Sequence, residues 1–142
     1  QYMEYSRMGP IIRIFDLISK EQQIDLNSLL ERKLLFPPII TGLFAAIRTG
    51  LWKKVGKLPV ANFTHPMFIL SRWNDRTGEV LYWSLWDGIN FIDMGKYLPE
   101  EYKDLEFLTV WDPRSVVDRI ESGEIPFPYG EMIKNGKYTP II

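Results

Sequence analysis

Read as a pattern of apolar and polar positions, the chain opens with the strand-like run "IIRIFDLIS" (11–19), dense in branched and aromatic residues. "IDLNSLLERKLL" then predicts a helix entered at Asp25, whose carboxylate can accept from the free N–H groups of the first turn. That helix cannot pass Phe36, because Pro37 and Pro38 lack the donors a helix or a central strand needs. "LLFPPIIT" therefore predicts an extended edge segment. "GLFAAIRTG" predicts a short helix closed by Gly50, and "LWKKVGKLPV" a loop anchored by Trp52.

The centre is strand signal. "MFILSRW" (67–73), the turn "NDRTG" and "EVLYWSLWDG" (79–88) predict a hairpin. Strict alternation along the second strand puts Val80, Tyr82 and Trp86 on one face and Leu81, Trp83 and Leu85 on the other. A strand apolar on both faces belongs in the middle of a sheet. "GINFIDMG" predicts a third strand of the same meander, reached through a turn at Asp87-Gly88.

Further on, "LPEEYKDL" (98–105) allows at most two helical turns, with Pro99 in the first, and "EFLTVW" predicts a strand. In "DPRSVVDRIESG", Asp112 is placed as N-cap, Pro113 as the first helical residue and Gly123 as the stop. Val116, Val117 and Ile120 form the expected buried stripe of that helix, with Arg114 and Asp118 on its exposed side. The tail, residues 124–142, holds three prolines in "EIPFPYGEMIKNGKYTP" and predicts an extended strap. The expected fold is α+β: one domain over 1–142, with a mainly antiparallel twisted sheet of about five to six strands and short flanking helices.

Composition narrows the chemistry. At 142 residues with 46 % apolar and 14 % aromatic residues the chain can bury a substantial core, and without cysteine it has no disulfide or thiolate chemistry. Its longest apolar run, 34–47, is too short for a bilayer and is broken by the two prolines. No signal peptide is recognised and no membrane partner is expected. The formal charge of −1 is unevenly spread. Residues 1–71 carry nine Lys/Arg against five Asp/Glu, and residues 72–142 carry eight against thirteen. The acidic half can steer a basic partner, whereas a nucleic-acid binder calls for a basic patch. Lys53, Lys54 and Lys57 form too small a cluster to supply one.

Catalytic readings find little support. His65, the sole histidine, sits in "FTHP" with no acid pair at ligand spacing and no nucleophile-elbow glycine pattern anywhere. The favoured reading is a satisfied turn histidine, with no metal and no cofactor. Asp87 and Asp93 approach each other if their strands pair, which would allow a carboxylate hydrolase. Trp73, Trp83 and Trp86 raise a ligand- or carbohydrate-binding platform, although the strand alternation favours core positions for these rings.

Two separated elements carry a resemblance. Gly50, Trp52, Gly56, Leu58 and Pro59 form a turn followed by a "GxLP"-like loop. Leu105, Glu106, Val110, Trp111, Val117, Asp118 and Arg119 form a later "LE…VW…VDR" segment. Together with "RIFDLISKE" (13–21), this arrangement over residues 11–123 resembles the immunity protein 26 family of bacterial polymorphic toxin systems. Members of that family begin with a strand-rich start that this chain lacks, so residues 1–10 are expected to be the remnant of a first hairpin, and a missing strand would leave an open sheet edge. The strap after Gly123 is not part of the family pattern.

The resemblance implies a non-enzymatic, cytoplasmic protein that neutralises a cognate toxin by stoichiometric binding. A basic, nuclease-type toxin would suit the acidic half. The expected interface is Asp87, Asp93, Glu100, Glu101 and Asp104, with Tyr97 and Tyr102 as aromatic anchors. The oligomeric state stays open.

Overall fold

A computed structural model describes residues 2–6, 8–20, 24–59, 64–126 and 128–139. The fold is α+β, with eight short strands and four short α-helices among the described residues. In place of a single sheet of five to six strands there are two four-stranded sheets. The chain gathers into two compact units. Residues 1–64 with 110–116 form the first, and residues 65–109 with 117–142 the second. The charge asymmetry follows this division: the first unit holds ten bases against six acids, and the second seven against twelve, a net of −5.

In the first unit, β1 (Tyr2–Ser6) and β2 (Gly9–Ile12) make an antiparallel hairpin, so the stretch read as a remnant supplies a complete two-stranded element. Next to it runs β3 (Ile39–Thr41), which pairs in parallel with β8 (Val110–Trp111). The centre of this sheet is Ile11, Ile12, Ile39 and Ile40, each at most 2 % exposed. Consecutive buried residues mean that both faces are covered, and burial of each side chain contributes roughly 2 kcal/mol. The buried Thr41 hydroxyl donates to the Trp111 carbonyl at 2.7 Å, which satisfies that polar group within the core.

Three expectations for this unit change. β3 is a central strand, not an edge, because Pro37 and Pro38 precede it and leave the ladder donors of Ile39–Thr41 intact. The 11–19 strand leaves the ladder after Ile12 and pairs again at the isolated Phe15–Leu34 bridge. The helix from Asp25 is a single turn, α1 (Leu26–Leu29): Leu35 N–H bonds the Ile14 carbonyl at 2.8 Å and draws the following residues into extended pairing. Asp25 does cap it, accepting from Asn27 N–H at 3.0 Å.

Helix α2 (Leu43–Arg48) is followed by Gly50 at φ +77°, as the glycine stop predicts. The "GxLP" loop then passes α1 so closely that a Cβ on Gly56 would lie 2.7 Å from the Leu26 side chain. The unit boundary falls inside α3 (Pro113–Ser122), between Val116 and Val117. Asp112 caps this helix as expected, with Oδ2 accepting from Arg114 N–H at 3.1 Å and Ser115 N–H at 3.3 Å.

In the second unit the sheet order is β6 (Phe91–Gly95), β5 (Val80–Trp86), β4 (Phe68–Trp73), β7 (Glu106–Phe107). The expected meander is present and β5 is internal. The predicted alternation on β5 fails at one residue. Val80 pairs with Trp73 and Tyr82 with Arg72, so Leu81 is the extra residue of a bulge. One inserted residue flips the parity, and Val80 joins Trp83 and Leu85 in the core with Ile69, Leu98, Phe107 and Met132.

"EFLTVW" is likewise divided. Leu108 N–H bonds the Ile69 carbonyl at 2.7 Å and the ladder stops there, so β7 and β8 belong to different sheets.

Two further corrections concern packing in this unit. Ile120 is 37 % exposed, whereas Arg119, expected nowhere in the core, is 6 % exposed. Its guanidinium forks onto the buried Glu106 of β7, with bonds of 2.6 and 2.8 Å. The tail is not extended throughout: α4 (Tyr129–Asn135) buries Met132 completely and ends at Gly136 with φ +64°. Met132 and Ile133 find an apolar surface in the Trp83 cluster, and that contact outweighs the weak helix propensity of a proline-flanked segment.

Candidate functional site

The sheet of the second unit ends at β6, and a carboxylate-built turn flanks that strand on each side. After β5 the chain reverses through Asp87–Asn90. Asp87 Oδ1 accepts from the N–H groups of Ile89 at 2.8 Å and Asn90 at 2.7 Å. These backbone donors, Asn90's first, hold the Asp87 carboxyl below its ordinary range, so the group is ionised at neutral pH. Gly88 turns with φ +101°, and a Cβ there would lie 2.8 Å from the His65 ring. At the far end of β6, Asp93 Oδ1 accepts from Gly95 N–H at 2.9 Å, and Gly95 leaves the strand with φ +81°.

His65 packs edge-on against Trp86 and Phe68, with centroids 5.2 and 6.1 Å away. Its Nδ1 donates to the Pro66 carbonyl at 2.7 Å, the satisfied turn position expected of it.

Between the two turns the strand is open. Phe91 is 62 % and Ile92 47 % exposed, although successive residues of a strand face opposite ways. Neither face of the sheet is therefore covered at β6. Ile89, at the tip of the preceding turn, is 84 % exposed and Tyr97, beyond the strand, 79 %. Phe91 is held in place by stacking on Trp86, with ring centroids 6.2 Å apart. The result is an apolar edge bracketed by Asp87 and Asp93.

All seven residues expected at the interface lie in the second unit, but the topology divides them. Asp87, Asp93 and Tyr97 are at the β6 edge. Glu100, Glu101, Tyr102 and Asp104 lie on the connection that carries the chain to β7, the opposite end of the sheet. Glu100 and Glu101 are exposed on a 3-10 turn, and Glu100 pairs with Lys103 at 2.6 Å. Asp104 is also exposed. Tyr102 is half-buried and packs on the Trp83 core. Lys96 lies beside Tyr97 and pairs with Glu79 at 2.7 Å. That exposed pair lowers the Glu79 pKa and raises that of Lys96, each through the hydrogen bond to the other.

Sequence reasoning missed Ile89, Phe91 and Ile92. "GINFIDMG" was rightly read as a strand, but apolar residues in a strand read as buried until the strand is known to be the last one.

The competing chemistries fare as follows. Trp83 and Trp86 are 2 % and 5 % exposed, and Trp73 stacks on Tyr138 at 4.4 Å, so no two open coplanar rings form a platform. Asp87 and Asp93 each spend an oxygen on turn N–H groups. The lowered Asp87 pKa is also the reverse of what a general acid requires. Among the described residues no three His, Asp or Glu side chains gather as ligands for a metal ion, and no helix is long and apolar enough to cross a membrane.

No curated protein and no solved structure matches the chain. A family model for Immunity protein 26 matches residues 3–79, more than half of the sequence. The matched stretch starts within β1 and takes in the rest of the β1–β2 hairpin, where a remnant is the sequence expectation, and the Gly50–Pro59 element. It ends before Leu105–Arg119, so the second element of the resemblance lies outside it. On the extent of that match, the chain belongs to the Immunity protein 26 family.

Proposed function

We propose that this chain protects the cell that makes a toxin by binding that toxin directly, one to one, in the cytoplasm and without catalysis. Family membership supports a role in immunity. The observation that carries the binding reading is the β6 edge, where Ile89, Phe91, Ile92 and Tyr97 stand in solvent beside two aspartates. Exposed aromatic and aliphatic side chains gathered along one strand offer anchors to a partner, because their solvation is unfavourable until a partner covers them. The net charge of −5 on this unit favours a basic partner and fast association. A nuclease-type toxin with a cationic cleft has that character. Asp87, Asp93 and Tyr97 form the primary contact in this reading, and Glu100, Glu101 and Asp104 add longer-range attraction.

Co-expression tests the proposal. The C-terminal domain encoded immediately upstream of this chain is induced in cells with and without it. Restored growth together with a co-purified 1:1 complex is the expected result. A toxic domain that this chain neither binds nor relieves would refute it.

A further inference from the structure

We propose that β6 is a docking strand: a short extended segment of the toxin adds to its free edge as a fifth strand, with a basic side chain beside Asp93. The inference rests on the toxin-binding reading above and specifies how contact is made.

The backbone supplies the first argument. Asp87 N–H bonds the Asn90 carbonyl at 3.3 Å, which makes Asp87–Asn90 the hydrogen-bonded pair that closes the hairpin. Antiparallel ladders alternate from there. Phe91 opposite Trp86 is a non-hydrogen-bonded pair, Ile92 opposite Leu85 a hydrogen-bonded one, and Asp93 opposite Ser84 again a non-hydrogen-bonded one. The N–H and C=O groups of Phe91 and Asp93 therefore point away from β5. Among the described residues no other strand pairs with β6.

Natural edges are blunted by proline, by lysine or by a covering element. Residues 91–95 contain neither proline nor lysine, and the exposure of both Phe91 and Ile92 shows that nothing among the described residues covers the strand. Only the irregularity at Met94 and the turn at Gly95 limit its length. What remains is four outward main-chain groups flanked by an aromatic ring on one face and an aliphatic side chain on the other. An extended peptide is recognised in this way, with main-chain bonds giving affinity and alternate side chains giving specificity.

Charge selects the occupant. Residues 87–95 carry two aspartates and no base. A second copy of this chain pairing edge to edge would bring together two units that each carry a net charge of −5, which repel one another. A segment with a lysine or arginine next to an apolar residue is favoured instead.

The experiment uses the full chain and its complex with the toxic domain encoded upstream. Amide exchange compares free and bound protein, and two variants separate charge from backbone. Asp93→Ala and Asp93→Pro remove the same carboxylate and the same bond to Gly95. Only proline also removes the outward N–H, and it leaves the β5 ladder untouched. The expected results are protection of the Phe91 and Asp93 amides by at least about tenfold on binding, and a Kd for Asp93→Pro about tenfold weaker than for Asp93→Ala, the worth of one main-chain hydrogen bond. A complex in which both amides exchange as fast as in free protein would overturn the docking strand and leave toxin binding standing, with no need of the proline variant. Protection of the same amides in the free protein at high concentration would make the occupant a second copy and also overturn it. Absence of any complex would remove both readings.

Discussion

Glu106 and Arg119 offer the most quantitative test of how the second unit is held together. Glu106 lies on β7 and Arg119 on the α3 turn that faces it, with side chains 3 % and 7 % exposed. Two N–H···O bonds, 2.6 and 2.8 Å long, make the pair bidentate. With charge centres about 4 Å apart and an effective dielectric near 20, the attraction is about 4 kcal/mol, most of it offset by the desolvation of both ions. The favourable term vanishes when one partner is removed, but the burial of the other charge does not. Glu106→Gln keeps the shape but removes the carboxylate charge that faces the buried guanidinium, so it should cost about 3–5 kcal/mol. Against a total stability of roughly 5–15 kcal/mol this is a large share. Glu106→Leu combined with Arg119→Met removes both charges and should fall within about 1 kcal/mol of the parent. Urea unfolding followed by circular dichroism measures both. A Glu106→Gln penalty below about 1 kcal/mol, or a double variant as damaged as the single one, would refute the reasoning and mean that water screens the pair.

Other expected outcomes follow from local geometry. Gly78→Ala places a Cβ against the Tyr138 backbone carbonyl at φ +73°, whereas Gly50→Ala, at φ +77°, meets nothing within 4 Å. Thermal melts should show a loss of about 1 kcal/mol for Gly50→Ala, the left-handed cost alone, and a clearly larger one for Gly78→Ala. Asp112→Ala removes the cap of α3 and should cost about 1 kcal/mol by urea titration. The lowered Asp87 pKa means that its carboxylate contribution is fully present above the ordinary value of 3.8 and is lost as pH falls through the lower folded value. The stability difference between the parent and Asp87→Ala should therefore be flat from pH 5 to 8 and shrink only below about pH 4. A change near neutrality would contradict that assignment.

The parts of the fold that were legible in sequence are those set by neighbours along the chain. Asp25 and Asp112 as caps, Gly50 and Gly123 as stops, and the 67–95 meander all depend on backbone needs that a few adjacent residues meet. What escaped depends on partners distant in sequence. The bulge at Leu81 is invisible in the alternation of "EVLYWSLW", yet it decides that Val80 packs beside Trp83. Leu108 ends one sheet and Val110 begins a strand of the other within a run that reads as one continuous strand. Arg119 looks like a surface residue of a charged helix until Glu106 is placed opposite. The same holds at the candidate site. Asp87 is legible as an acid at a turn and Asp93 as an acid in the following strand, but the openness of Phe91 and Ile92 follows from β6 being the outermost strand, and strand order is not written locally.

The proposed neutralisation of a toxin by stoichiometric occupation can be read from a titration of toxin activity. The purified domain encoded upstream is held at a concentration far above the expected Kd, and its activity is followed as this protein is added. Stoichiometric occupation gives a linear fall to zero with a break at one equivalent, reversed when the complex is dissociated and the toxin recovered. Complete inactivation by a small fraction of an equivalent, or activity unchanged at several equivalents, would contradict it.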